Sequence, residues 1–180
     1  MKRSTLTSLA LAVVLTASSL SFGQDKDKSK RPSPPAQAQC KFADGKSITV
    51  DYSSPRAKGR KIYGGLVPFG KEWRTGANDA TTFVTTADLT IGGKDVPAGK
   101  YTLYTTPNEK SWTLMINKQT GQWGTEYHQE QDLARVDMKK ESLSTPLETF
   151  VISFEPQTDP KQITFQWENT KLWVSISEAK

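Results

Sequence analysis

The stretch WRTGAN, residues 73–78, carries side chains that together suit the binding of a polar ligand. Arg74 presents five N–H donors in a planar fork that matches carboxylate, sulfate or phosphate. Thr75 and Asn78 add neutral hydrogen-bonding groups, and Trp73 offers a flat face for a sugar ring or a cation. Glycine and asparagine are equally typical of a turn that needs no ligand. We therefore weigh a ligand site on a loop against an ordinary turn, in which Trp73 fills the core and Arg74 pairs with a buried acid.

A basic stretch, SPRAKGRK at residues 54–61, precedes this loop. Its four bases lie within six residues: Arg56, Lys58, Arg60 and Lys61. They would form a patch for an anionic ligand if Lys71 and Arg74 fold beside them, although a run of charges in a loop is usually only a solvated surface. Arg60 stands beside an apolar pair that we expect to be buried, so we add it to the predicted ligand-binding residues.

The stretch QWGTEYHQEQDLARV, residues 122–136, contains the only histidine of the chain. Two of its acids could act on a glycosidic bond while a tryptophan stacks on the sugar, although acids at such spacings occur on most surfaces. The weak catalytic candidates are Glu126, His128, Glu130 and Asp132. As a binding wall opposite Arg74, the same stretch offers Trp123, Tyr127, Asp132 and Arg135. Asp132 and Arg135 could instead simply pair with each other.

Counting residue types argues against metal and cofactor sites. One histidine and one cysteine cannot supply the three or four ligands of a zinc site, and no Asp-rich loop has calcium-binding spacing. The sequence has no Gly-rich nucleotide loop and no Gly-x-Ser-x-Gly elbow. Cys40, as the single cysteine, excludes an internal disulfide. We expect it to be a thiol at a domain edge without a role, and we expect neither a metal nor a cofactor.

The formal net charge of +5 overstates the basicity of the folded part. Lys2 and Arg3 contribute two positive charges, and residues 24–39 contribute two more, because four bases there face two acids. Nucleic-acid-binding domains usually keep a strong basic excess to neutralise phosphates. The small remaining excess therefore argues against a nucleic-acid partner.

The first 23 residues have the pattern of a secretory signal peptide. A basic start precedes the mostly apolar stretch 9–20, and small residues follow at Ser21 and Gly23. We predict cleavage near Gly23–Gln24, with the mature protein periplasmic or secreted and without a transmembrane segment. Residues 24–40 are predicted to be a disordered tether, since 24–39 contain three prolines and no large apolar side chain.

The remaining residues, 41–180, show period-two alternation of apolar and polar side chains along most of their length. Examples are SITVDY at 47–52, KYTLYTT at 100–106 and LETFVISFE at 147–155, with turn residues between such runs. Many short strands with short turns predict an all-β fold, a single antiparallel β-sandwich of jelly-roll or immunoglobulin-like type. At most one helical turn is expected, near 126–133 or 68–73. The sequence VPAGKY suits a tyrosine corner at Tyr101.

The run from YSSPRAKGRKIYGGLVPFGKEWRTGAN to YTLYTTP resembles the bacterial domain of unknown function 2911 family. The later pieces WTLMINKQTGQWG, DLARV and WENTKLWVSI are similar to the rest of that family's pattern, so that the resemblance covers roughly residues 42–178. It implies an exported bacterial protein. It brings no activity with it, because the family has no established catalytic or ligand-binding residues to carry over.

These observations favour a non-catalytic module that binds a small polar, anionic or carbohydrate ligand, or a cell-envelope partner protein. One alternative is a cell-envelope hydrolase that acts on a glycan or ester through acids in 126–132. Another is a purely structural assembly module. The alternation predicts inward rows, among them Phe150, Ile152 and Phe154, and Leu172, Val174 and Ile176. In a structural module, Trp173 and Tyr104, which alternate away from the inward rows of their strands, would be exposed apolar contacts.

Overall fold

A computed structural model describes residues 30–155 and 161–179 of the chain. Alternating β-branched, aromatic and polar residues form strands, and glycines at positive φ, such as Gly45 and Gly92, end them in turns. The strands in chain order are β1 (Pro35–Lys41), β2 (Ser47–Ser53), β3 (Thr81–Thr85), β4 (Leu89–Ile91), β5 (Lys94–Val96), β6 (Gly99–Pro107), β7 (Trp112–Asn117), β8 (Asp132–Glu155) and β9 (Lys161–Glu178). The prediction of an all-β fold is confirmed.

The nine strands form one antiparallel sheet in the order β1-β2-β3-β6-β7-β8-β9-β4-β5. Strand β8 links the two halves, because its first residues pair with β7 and the rest pair with β9. The loop after β2 also reaches β8, since Ala57 N–H donates to the Glu148 carbonyl at 2.8 Å. One turn of 3-10 helix, Gln129–Gln131, lies within the region where a single helical turn was expected.

Buried residues from both halves of the sheet form a single large core. The predicted inward row of β9 is buried, as are Phe150, Ile152 and Phe154 of β8. An aromatic group stands at the centre of this core, where Trp167 of β9 lies 5.8 Å from Phe150 between ring centroids. The loop before β3 adds Trp73 to this group, and the candidate site is built around that residue.

Two predictions about individual tyrosines have different outcomes. The tyrosine corner is confirmed, because the Tyr101 hydroxyl donates to the Pro97 carbonyl at 2.9 Å. Tyr104 would be exposed under the structural-module alternative, and that consequence is wrong. Its side chain is only 1% exposed and packs with Ala80 and Met115 in a second, smaller apolar cluster. The two faces of β6 are therefore both covered, one by each cluster.

The predicted tether of residues 24–40 is wrong for its last six residues. Strand β1 begins at Pro35 and pairs with β2 over its whole length. The physical reason is that Ala38 and Cys40, although small, are buried against the core while the backbone completes the ladder. Cys40 is thus a core residue of β1 rather than a thiol at a domain edge.

The predicted signal peptide, its cleavage site and residues 24–29 of the tether lie outside the described residues. Within residues 30–155 and 161–179, no helix is long and apolar enough to cross a membrane.

Candidate functional site

Residues 72–74 form a ridge between two surface cavities, and we call this segment the ridge. Trp73 fixes it to β6, because its backbone N–H and carbonyl each bond to Thr105 at 2.8 Å. The indole N–H of Trp73 donates to the Gly76 carbonyl at 3.0 Å, which closes the loop on itself. The ridge is therefore held by backbone bonds on one side and by its own turn on the other.

The backbone directly after the ridge is strained. Thr75 has φ of 53° and is fully buried, a conformation that β-branched residues rarely adopt. Its hydroxyl bonds inside the protein to the Trp73 carbonyl and the Thr105 hydroxyl, both at 3.3 Å. The Thr81 hydroxyl donates a hydrogen bond of 2.9 Å to the Thr75 carbonyl, which stabilises this conformation. Thr75 thus positions the ridge, and the prediction that its hydroxyl faces a ligand is wrong because that hydroxyl is enclosed.

The first cavity, of about 300 Å³, lies on one side of the ridge. Three cations, Arg60, Lys71 and Arg74, line it together with one acid, Glu72. Its apolar lining includes Pro55, Leu66, Val67, Trp73 and Trp167. Of the four bases in the stretch at 54–61, Arg60 alone lines this cavity, where it joins Lys71 and Arg74.

Trp73 is both a core residue and a cavity wall. Its ring stacks on Trp167 at 6.0 Å between centroids with an interplanar angle of 19°, and it meets Phe150 edge-on at 5.1 Å. These contacts match the interpretation of Trp73 as a residue that fills the core. The ring remains half-buried, and it lines both cavities beside the ridge.

The second cavity, of about 280 Å³, lies on the other side of the ridge. It shares the three ridge residues as its wall and adds Tyr104, Gly124, Thr125 and Tyr127. The phenols of Tyr104 and Tyr127 are 4.9 Å apart between ring centroids, so the far wall is aromatic. Tyr127 is the residue of the predicted opposite wall that does face Arg74 across a cavity.

Arg74 is half-buried, yet no residue of the described chain gives it a hydrogen bond or an ion pair. Its Nε atom is buried without a partner. Burial lowers the pKa of Arg74, an effect that the neighbouring Tyr104 phenol partly opposes. The alternative in which Arg74 forms a bidentate pair with a buried acid is therefore wrong for residues 30–155 and 161–179.

Gly124 lets the Arg74 side chain lie where it does. A Cβ atom at this position would overlap Cδ of Arg74 and would stand 2.7 Å from the Asn78 carbonyl oxygen. The sequence could not reveal this role, because the close approach joins residues fifty positions apart. Gly124 and Tyr104 belong to the lining of the candidate site, and the sequence alone did not point to them.

Asn78 and Arg60 are partly occupied by structural contacts. The Asn78 amide donates to the Ser33 carbonyl at 3.1 Å, which fastens the segment before β1 to the loop. Arg60 donates from Nε to the Ala57 carbonyl at 3.0 Å and from one terminal nitrogen to the Arg56 carbonyl at 2.7 Å. Arg60 still lines the first cavity, whereas Asn78 lines neither. The prediction of Asn78 as a ligand contact is replaced by a positioning role.

Asp132 and Arg135 pair with each other, which was the structural alternative considered for them. Arg135 Nε donates to Asp132 Oδ2 at 2.8 Å, and the Tyr127 hydroxyl donates to the same oxygen at 2.6 Å. Asn117 donates to the other carboxylate oxygen at 2.9 Å. Neither Asp132 nor Arg135 lines a cavity with Arg74, and nor does Trp123, which is 47% exposed. The predicted opposite wall thus reduces to Tyr127.

The weak catalytic candidates do not surround either cavity. His128 Nδ1 lies 3.1 Å from Glu130 Oε1, and both side chains are exposed along a shallow depression. Glu126 is exposed, and its carbonyl accepts the Tyr104 hydroxyl at 2.7 Å. Among the residues that the structure covers, no group of three or more His, Cys, Asp or Glu side chains could hold a metal ion.

Comparison with known proteins places the chain in a family. The model of the DUF2911 family, described as a protein of unknown function, matches residues 33–176. The chain therefore belongs to this family. The matched range begins two residues before β1, in agreement with the position of the first strand. Neither the comparison with curated proteins nor the comparison with solved structures found a match.

Proposed function

We propose that this member of the family is a non-catalytic module that binds a small anionic ligand at the ridge, outside the cytoplasm. Export by a signal peptide at residues 1–23 is part of the proposal. The observation that carries it is the state of Arg74, a half-buried guanidinium to which no described residue supplies an anion or an acceptor.

The energetics of Arg74 favour a ligand. Withdrawing a cation from water costs free energy unless a counter-charge or hydrogen-bond acceptors replace the lost solvent. The described part of the protein supplies neither to Arg74. A carboxylate, sulfate or phosphate would offset that cost with charge-assisted hydrogen bonds.

The charges around the first cavity support an anion rather than a cation or an apolar molecule. Three cations and one acid line this cavity, which leaves an excess of positive charge. Arg60 has already used Nε and one terminal nitrogen on backbone carbonyls, so its guanidinium is held in place with donors to spare. Preorganised donors of this kind reduce the entropy cost of binding.

The strained backbone at Thr75 supports a functional role for the loop. Left-handed conformations of residues other than glycine cost roughly 1–3 kcal/mol and concentrate where a side chain must be held for a purpose. Thr75 directly follows Arg74 and is fixed by buried hydroxyl contacts. The strain thus lies at the residue next to the arginine.

The hydrolase alternative has less support, because the acids at 126–132 do not line either cavity beside the ridge. The structural-module alternative needed both Trp173 and Tyr104 as exposed apolar contacts. Tyr104 is buried, and Trp173 is partly exposed with Lys139 over its ring and its indole N–H donating to Glu141, so that alternative keeps one of its two contacts. Binding at the ridge is therefore the function that the geometry supports best.

A thermal-shift screen with acetate, sulfate, phosphate and glucuronate tests the proposal. A ligand at a hundred times its Kd stabilises the folded state by about 2.7 kcal/mol, which corresponds to a rise in Tm of about 5–10 °C. We expect at least one anion to produce this rise in the wild type, and Arg74→Ala to abolish it. Arg56→Ala is the matched control, because Arg56 is exposed and lines neither cavity. An equal rise in Arg74→Ala, or no rise with any anion, would contradict the proposal.

A further inference from the structure

The two cavities beside the ridge share one wall and differ in charge. Glu72, Trp73 and Arg74 line both of them. Arg60 and Lys71 add positive charge to the first cavity alone. In the second cavity Arg74 and Glu72 are the only charged residues of the lining, so their charges balance. A ligand that crosses the ridge would therefore meet a cationic half and a neutral half.

The second cavity is suited to an uncharged ring. The hydroxyl of Tyr127 is already bonded to Asp132 and Arg135, so this side chain offers its ring rather than its hydroxyl. Thr125 is exposed and presents a hydroxyl beside it. Sugars combine C–H faces with hydroxyl groups, and they pack on aromatic rings while bonding to such neutral polar groups.

Arg74 connects the two halves. Gly124 is part of the second cavity, and the Arg74 side chain lies against it, so the guanidinium approaches the second cavity while the same residue lines the first. The effect of Tyr104 on the pKa of Arg74 agrees with this position. An anionic group at Arg74 would thus stand at the boundary between the two cavities.

We infer that the ligand is an acidic oligosaccharide, with a charged sugar in the first cavity and a neutral sugar in the second, joined across the ridge. This inference rests on the proposed function, since it specifies the ligand of the same site. The order of the two sugars follows from the charges: the charged sugar gains from three cations in the first cavity and from Arg74 alone in the second.

Isothermal titration with three probes tests the inference. The probes are glucuronate, an aldobiouronate in which glucuronic acid is linked to a neutral hexose, and cellobiose as the uncharged disaccharide. We expect the aldobiouronate to bind at least tenfold more tightly than glucuronate, the ratio that corresponds to about 1.4 kcal/mol of added contact. We expect no measurable binding of cellobiose, because it has no group for Arg74.

A blocking variant locates the neutral sugar. Thr125→Trp fills the second cavity without altering a cation, and we expect it to reduce the affinity for aldobiouronate to that for glucuronate. Affinity for glucuronate itself should change less than twofold. Thr145→Trp is the matched control, because Thr145 is exposed on β8 and lines neither cavity. It should keep the tenfold difference.

The outcomes separate this inference from the proposed function. Equal affinity for glucuronate and aldobiouronate would overturn the two-sugar ligand and leave the anion site intact. So would a tenfold gain that survives Thr125→Trp, or binding of other anions with no binding of either uronate. Failure of every anion, in this titration and in the thermal-shift screen, would overturn the proposed function itself.

Discussion

Arg74 and Arg135 are both arginines close to Tyr127, and they have opposite surroundings. Arg135 shares Asp132 and the Tyr127 hydroxyl in a set of hydrogen bonds between 2.6 and 2.8 Å. Arg74, on the other side of the second cavity, lacks a hydrogen-bonding partner in the described chain and has a buried Nε. One region of the molecule satisfies its charges internally, and the other does not.

The difference separates architecture from function. In the region around Asp132, both carboxylate oxygens already accept hydrogen bonds from the protein, and these bonds help to hold the start of β8 against β7. At the ridge the free energy of a new charge-assisted bond is still available to a molecule from outside. The sequence offered both regions as candidates, the first because its acids, histidine and aromatics stand close together and the second because of Trp73 and Arg74. The hydrogen bonds in the structure favour the second region as a ligand site, because Arg74 lacks a partner among the described residues whereas Asp132 and Arg135 bond to each other.

The largest predicted effect on stability belongs to the satisfied region. Arg135→Met leaves the Asp132 carboxylate, whose side chain is 8% exposed, without its counter-charge. We expect the free energy of unfolding to fall by about 2–3 kcal/mol, since removing one partner strands a buried charge. Urea denaturation measures this loss. Lys118→Met is the control, because Lys118 is an exposed cation directly after β7. It should change the free energy of unfolding by less than about 0.5 kcal/mol, and a loss equal to that of Arg135→Met would contradict the comparison.

The next effect concerns the close approach under Arg74. Gly124→Ala places a methyl group against Arg74 Cδ and the Asn78 carbonyl, so we expect a loss of about 1–3 kcal/mol from overpacking. Because the clash displaces the guanidinium, anion binding should fall together with stability. In an Arg74→Ala background the overlap with Cδ is gone while the close contact with the Asn78 carbonyl remains, so the cost of Gly124→Ala should shrink by at least about 0.5 kcal/mol without disappearing. Strict additivity of the two substitutions would show that they do not touch.

How much of the fold the sequence could predict depended on how far apart along the chain the interacting residues lie. Alternation along KYTLYTT and LETFVISFE is local, and it predicted strands and inward rows that the structure confirms. The tyrosine corner spans four residues and was equally accessible. The start of β1 was missed because small residues carry little hydrophobic signal, although their backbone pairs fully with β2.

The candidate site was predictable only in part, because residue types can be read from the sequence but contacts between distant segments cannot. Residue chemistry singled out Trp73, Arg74 and Arg60, and all three line the first cavity. It could not show that Thr75 is enclosed, or that Asp132 is already occupied, because both facts depend on contacts between distant strands and loops. The missing acid partner of Arg74 is likewise a property of the whole fold.

A third prediction concerns how the stabilising effect of the Tyr127 hydroxyl depends on pH. Burial and the neighbouring Asp132 carboxylate raise the pKa of Tyr127 well above its usual value of about 10. Its neutral form is therefore favoured in the folded state, so its stabilising effect is complete below pH 10 and is lost as the pH rises above 10. Tyr127→Phe should cost about 1 kcal/mol at pH 7 through the lost hydroxyl, a difference that narrows between pH 10 and 12. Denaturation curves across this range measure it, and a constant difference would contradict the assignment.

The smallest predicted effect on stability is that of Arg74→Met, and it tests the contrast between Arg74 and Arg135 most directly. Arg74→Met keeps the apolar part of the side chain beside Gly124 and removes a guanidinium that the described residues leave unpaired. The unfolded state hydrates that charge fully, so its removal should leave the free energy of unfolding unchanged or raise it by up to about 1 kcal/mol. The same variant should lose the anion-dependent rise in Tm. An arginine that lowers stability and is required for binding is held for its ligand. A loss of 2 kcal/mol without ligand, as expected for Arg135→Met, would instead show that Arg74 is part of the architecture.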